Sequence, residues 1–253
     1  MATGWSQAEL GRRSGISKGM IGKIEIGAAN CTFAVAGRLI DELGIRASLR
    51  LDAPFMVDRR RQREPIHARC SAYVRRRLER DGWTVHGEVE IAHGQSHGWI
   101  DLLAWHPTTR TVLIIEIKTE LHDLGQIERT MGWYEREAWA AARRLGWRPV
   151  RVVSALVVLM TSVVEERIRE NVAAIASGFR VRGSALDRWV ADPSHDWARG
   201  ARGLALIDPH SRRREWLRPT RTDGRRTPPP YADYADAVRR LACRSRAGAD
   251  RSH

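Results

Sequence analysis

The sequence predicts a mixed α and β protein, an all-α N-terminal unit followed by an α/β unit with the order helix, three strands, helix, strand. Three observations predict it. Short helical segments with their own caps crowd residues 6–43. Runs rich in β-branched and aromatic residues at 83–91, 99–105, 111–118 and 151–160 have the length of strands, and an amphipathic stripe over 124–145 separates the third from the fourth. At 253 residues the chain can bury a substantial core, and a hydrophobic fraction of 43% with 29% charged residues is that of a globular protein.

Charge narrows the partner. A formal net charge of +13 points to a polyanion, with nucleic acid ahead of an anionic membrane. The longest apolar run, within 152–160, is too short to span a bilayer and suits a buried strand, so no membrane association is expected. Cys31, Cys70 and Cys243 form neither a disulfide framework nor a zinc spacing, and no signal-like segment opens the chain. A reducing cytoplasm is the expected location.

The first segment opens with Ser6 as N-cap and Glu9 at the capping-box position of a helix ending near Arg13. Ser14-Gly15-Ile16-Ser17 is a tight turn, and Ser17 caps a second helix running through Ile26. Ile21 and Ile24 pack inward from it and leave Lys18, Gly19, Gly22 and Lys23 outside; Gly27 stops it. A third helix over 32–43 presents Ala34, Leu39, Ile40 and Leu43. Ser6-Gln7 at the start, Gly15 in the turn and the ending Ile24-Glu25-Ile26-Gly27 resemble the Cro and lambda-repressor (XRE-like) helix-turn-helix. That resemblance implies that the second helix enters the major groove. Ser17, Lys18, Gly19 and Lys23 would then contact DNA, with Gln7 on a phosphate. The family has a further helix ahead of this stretch, so one wall of the small core is expected to be missing. Gly19 and Gly22 each cost ~1 kcal/mol of helix stability relative to Ala.

Residues 53–65 read as a basic linker. A helix follows in which Ile66, Cys70, Val74 and Leu78 recur every fourth residue. From Arg59 to Arg80, nine Arg face only Glu64 and Glu79, which points to phosphate contact.

The strands hold the chemistry. Residues 99–105 and 111–118 flank His106-Pro107-Thr108-Thr109-Arg110 and read as a hairpin. If Trp105 pairs with Val112, Asp101 falls opposite Glu116. Side-chain alternation puts Glu116 and Lys118 on one face, and Ile115 and Ile117 on the other. Burying such a trio costs desolvation that a divalent cation would offset. Forty Arg stand against three Lys, yet position 118 keeps the compact, titratable ammonium that Arg cannot supply. Gly98-Trp99-Ile100-Asp101 and Glu116-Ile117-Lys118 resemble the motif of the PD-(D/E)XK nuclease superfamily. The resemblance implies Mg²⁺, or Mn²⁺ in its place, held by Asp101, Glu116 and the Ile117 carbonyl, with Lys118 activating water. Its first helix often lends an acidic residue, for which Glu64 and Glu79 are unassigned candidates. In the strand over 83–91, Glu88 and Glu90 share a face, and Glu88 is taken as the third acidic ligand.

The helix over 124–145 carries Leu124, Ile127, Met131, Tyr134, Ala138, Ala141 and Leu145 in spacings of three and four, a stripe that covers one face of the sheet. Gln126, near Lys118 in sequence, is the polar residue such nucleases place there. A strand over 151–160 and a helix over 163–176 follow, then a short strand at 203–208. The expected units are residues 1–52, a linker at 53–65, a restriction-endonuclease-like domain over 66–210, and a disordered basic tail over 211–253. The function expected is a Mg²⁺-dependent DNA endonuclease targeted by its helix-turn-helix. Two other readings stay open: a transcriptional regulator with a non-cleaving nuclease-like domain, and an antitoxin-like interaction protein. DNA is the expected partner, and a homodimer is left open.

Overall fold

The computed structural model describes residues 4–29, 31–45, 65–93, 96–198 and 200–249. The chain divides into two compact units, Met1–Asp52 and Ala53–His253. The linker at 53–64, with Glu64 and its arginines, lies outside the described residues, as do Gly94 and Gln95.

In the first unit, helices α1 (Gln7–Ser14), α2 (Lys18–Glu25) and α3 (Phe33–Glu42) each start on a hydroxyl cap. Ser6, Ser17 and Thr32 accept from the backbone N–H of Glu9, Met20 and Val35. This satisfies one orphan donor per helix. Gly15 closes α1 in the left-handed region at φ 67°. The turn folds back so tightly that a Cβ on Gly11 would lie 2.6 Å from the Ile16 carbonyl oxygen, so only glycine fits there. Ile16 and Ile21 are buried, whereas α3 has no fully buried residue, and Ala34, expected inside, is exposed.

The second unit is a six-stranded mixed sheet of order β1-β2-β3-β4-β6-β5. Helix α4 (Pro65–Arg80) precedes β1 (Thr84–His93), β2 (Ser96–His106) and β3 (Thr111–Lys118), a meander of antiparallel pairs. Trp105 pairs with Val112 across the turn. Helix α5 (Leu124–Arg144) then crosses to β4 (Arg151–Leu159), parallel to β3. Next come α6 (Ser162–Glu170), α7 (Val172–Gly178), β5 (Val181–Arg182), α8 (Gly183–Ala191) and β6 (Arg202–Ile207), with β4, β6 and β5 running parallel. The single helix expected over 163–176 is broken at Asn171, whose side-chain amide donates to the Arg167 carbonyl at 2.8 Å and caps α6. β5 was not foreseen, because two residues carry no periodicity.

Strand alternation sorts the core onto two faces. Leu113, Ile115, Ala155 and Val157 meet α4 and α8 on one side, where Ile66, Cys70, Val74 and Leu78 form the inward stripe of α4. Val112 and Ile114, with Leu156 and Val158, meet the stripe of α5 and the apolar residues of α6 and α7 on the other.

The tail is the main correction. Residues 211–241 are folded onto the second unit rather than disordered. Arg218 exchanges both backbone hydrogen bonds with Leu206 of β6, at 2.8 and 2.9 Å, and Trp216, Leu217, Tyr231, Ala237 and Leu241 enter the core under α4. The last helix, α9, spans Tyr234–Ala249. Counting arginines overstated the solvation of this segment, because the head group of Arg225 is spoken for inside and an arginine from outside the segment holds one of its acids. The Arg225 guanidinium is buried against Glu165, and Arg182 holds Asp223 at 3.1 Å. Two arginines of α4 behave likewise. Arg77 is buried and donates to the Ser211 carbonyl at 2.6 Å, and Arg69 donates to the Leu241 carbonyl. These two tie the tail down and do not face solvent phosphate.

Candidate functional site

Ladder pairing between β2 and β3 runs from His106–Thr111 to Leu102–Ile115 and stops there. One residue further on, the Asp101 carboxylate takes over: its Oδ2 accepts the Ile117 backbone N–H at 2.7 Å. Asp101 and Glu116 are 6% and 4% exposed, deep for carboxylates. Glu116 is met by Lys118 on the same strand face, Nζ to Oε1 2.5 Å.

A residue that the sequence reading passed over completes the cluster. His67, on the first turn of α4, is buried. Its Nε2 lies 3.2 Å from the Ile117 carbonyl oxygen and 3.4 Å from Asp101 Oδ2. The available signal was a lone imidazole three residues before the inward Cys70 and seven before Val74, a spacing that places it on the buried side of the helix.

Burial alone would raise the Asp101 pKa. The His67 hydrogen bond, the charges of His67 and Lys118 and the Ile117 N–H outweigh it and hold the carboxyl below its usual range. Burial pulls the His67 pKa down, but the hydrogen bond and charge of Asp101 prevail and raise it. The pair is thus biased toward imidazolium and carboxylate.

Two expected members stand apart. Glu88 is exposed, with a left-handed φ of 51°, at the rim of a cavity that Asp101 also lines. Gln126 is exposed on α5, where it accepts from Arg129 and donates to Thr130. Among the described residues no three His, Cys, Asp or Glu side chains gather as a metal-ligand group. The donor types nevertheless suit Mg²⁺, which takes one or two carboxylates and fills its other positions with water and substrate. Asp101, Glu116 and the Ile117 carbonyl are the residues that would hold it.

On the first unit, Ser17, Lys18, Gly19 and Lys23 are all exposed along α2. Ser17 also caps that helix. Gln7 is half-buried, and its amide donates to Glu25 Oε2 at 2.6 Å, so it braces α1 against the end of α2. No helix among the described residues is long and apolar enough to cross a membrane.

No curated protein matched the chain in a sequence comparison. A helix-turn-helix family model matches residues 2–49, a stretch confined to the first unit. The chain therefore carries an N-terminal helix-turn-helix of the DNA-binding type.

Proposed function

We propose that this protein is a DNA-binding phosphodiesterase, in which the helix-turn-helix brings DNA to a hydrolytic site in the second unit. The observation that carries the reading is the burial of two carboxylates, Asp101 and Glu116, at the end where β2 and β3 part, with half-buried Lys118 on Glu116 and an open cavity of about 410 Å³ that Asp101 lines. Ion groups buried in this way return little net stability, so their presence favours a chemical role over a structural one. A Mg²⁺ ion held there would supply charge stabilisation at a phosphate and a more acidic water. The protein's own part is to hold Asp101 ionised and to keep an ammonium against Glu116. Asp101 is kept charged by Ile117 N–H and His67, and Lys118 is aimed by Glu116.

A second reading has an observation of its own. His67 lies against Asp101 Oδ2 and the Ile117 carbonyl, two atoms that a metal would use, and this favours a regulator whose second unit binds DNA without cutting it. Incubating the full-length protein with supercoiled, linear and branched DNA, with and without Mg²⁺, separates the two. Metal-dependent nicking or cutting supports the phosphodiesterase, and intact DNA of every form supports the regulator.

A further inference from the structure

The cavity beside Asp101 has a cationic wall that the catalytic reading does not use. It lies between α4 and the β1–β2 pair, and one face of α4 contributes His67, Ser71 and Arg75, spaced four residues apart. Ala68 and Ala72 keep the rest of that helix surface low and leave the space open.

Arg75 is held in an unusual place. A methyl group at Gly87 would collide with its guanidinium and would lie 3.6 Å from the Asp101 carbonyl oxygen. The head group therefore rests on the bare backbone of β1, at the level where Gly87 pairs with Leu102, next to the candidate site. Any side chain at 87 would evict it. Arg75 is half-buried, and among the described residues it makes no hydrogen bond or ion pair, in contrast to Arg69 and Arg77 on the same helix. A guanidinium stays charged at every working pH, and its planar fork of donors matches phosphate oxygens two at a time. The Ser71 hydroxyl, one turn away, adds a donor. The competing acids do not cancel this charge: Asp101 is engaged by His67 and Ile117 N–H, and Glu88 is at the exposed rim. A volume of about 410 Å³ falls within the range of small-ligand sites.

We infer that this cavity is a phosphate-binding subsite for a DNA strand, in which Arg75, seated over Gly87 and assisted by Ser71, grips the phosphate next to the one presented to Asp101, Glu116 and Lys118. The inference rests on the phosphodiesterase reading for its catalytic neighbour, but its binding claim can be tested separately. Arg75 is a binding residue here and takes no part in proton transfer.

The test uses the full-length protein and a fluorescent single-stranded oligonucleotide, with affinity read by anisotropy and cutting read on the same DNA with Mg²⁺. Arg75→Ala should weaken binding about tenfold and lower the salt slope by about 0.7, the share of one phosphate on a single strand. Arg75→Lys should recover part of the affinity, and Gly87→Ala, which displaces the guanidinium without removing it, should mimic Arg75→Ala. Wild-type affinity and salt slope in both Arg75→Ala and Gly87→Ala would overturn the subsite, whether or not the protein cuts. An Arg75-dependent loss of binding in a protein that cuts no DNA would uphold the subsite and sink the phosphodiesterase reading. Inorganic phosphate serves as competitor: displacement only at high concentration fits a strand phosphate. Efficient displacement, with oligonucleotide affinity independent of length, would overturn the strand as occupant in favour of free phosphate.

Discussion

The imidazole of His67 stands 3.4 Å from the Asp101 carboxylate, joining the first helix of the second unit to the end of its second strand. Neither group is exposed, so their mutual ionisation contributes to folding and is readable as a pH dependence. The His67 pKa is raised by this partner, so its contribution is fully present below the unfolded value near 6.5 and is lost as pH rises through the folded pKa. The Asp101 pKa is lowered, so its contribution is present above the unfolded value near 3.8 and is lost as pH falls through the folded pKa. In metal-free buffer the pair should stabilise most between pH 3.8 and 6.5. Urea unfolding should show wild-type stability declining relative to His67→Ala as the pH is taken from 6 to 8. Parallel curves across that range would remove the pair from the energetics.

The helix-turn-helix offers a paired test. Gly11→Ala drives a methyl group into the Ile16 carbonyl, a backbone atom that cannot step aside, and should destabilise the first unit by ~1–3 kcal/mol. Lys23→Ala, at an exposed position of α2, should leave stability alone, weaken binding to a preferred duplex and reduce the salt slope by about 0.9. Calorimetry and titration on both variants check this. Equal effects on folding and on affinity from the two substitutions would mean that α2 does not meet DNA.

The folded C-terminal segment should behave as core. Trp216 is 1% exposed and packs edge-on to Tyr73 of α4 at 5.9 Å between ring centroids, so Trp216→Ala should cost ~3–5 kcal/mol. Thermal melting measures it, and a shift of only a degree or two would return this segment to the status of an appendage.

Thiol chemistry gives an independent reading of the packing. Cys70 is wholly buried, and burial pushes its pKa up to about 12, so it should stay unmodified by a thiol reagent in native protein, whereas exposed Cys31 should react. Mass spectrometry of the labelled peptides tells them apart. Labelling of Cys70 without unfolding would show that α4 opens readily.

Much of this was legible in sequence, for reasons that differ by element. β3 and α5 announced themselves because Val112 to Ile115 is an unbroken apolar run up to Glu116 in the one and the stripe of the other is unbroken, and pairing Trp105 with Val112 followed from the length of the turn. The caps Ser6 and Ser17 were readable because capping is local chemistry. What escaped detection depended on contacts distant in sequence. His67 meets Asp101 across 34 residues, Arg77 meets Ser211 across 134, and Arg225 meets Glu165 across 60, so none of these carries a periodic signature. Net charge misled for the same reason, since an arginine that ends on a buried carbonyl counts the same as one in solvent. Glu88 was placed by strict strand alternation, which its left-handed backbone does not obey.

The central claim is that Lys118 is there for chemistry. Cutting rate and DNA affinity should be measured side by side for wild-type protein and Lys118→Ala in Mg²⁺. Affinity should change little, because the Lys118 ammonium is already paired with the Glu116 carboxylate, while the cutting rate should fall by orders of magnitude. If wild-type protein cuts no DNA, or if Lys118→Ala cuts as fast as wild type, the site is not a phosphodiesterase centre.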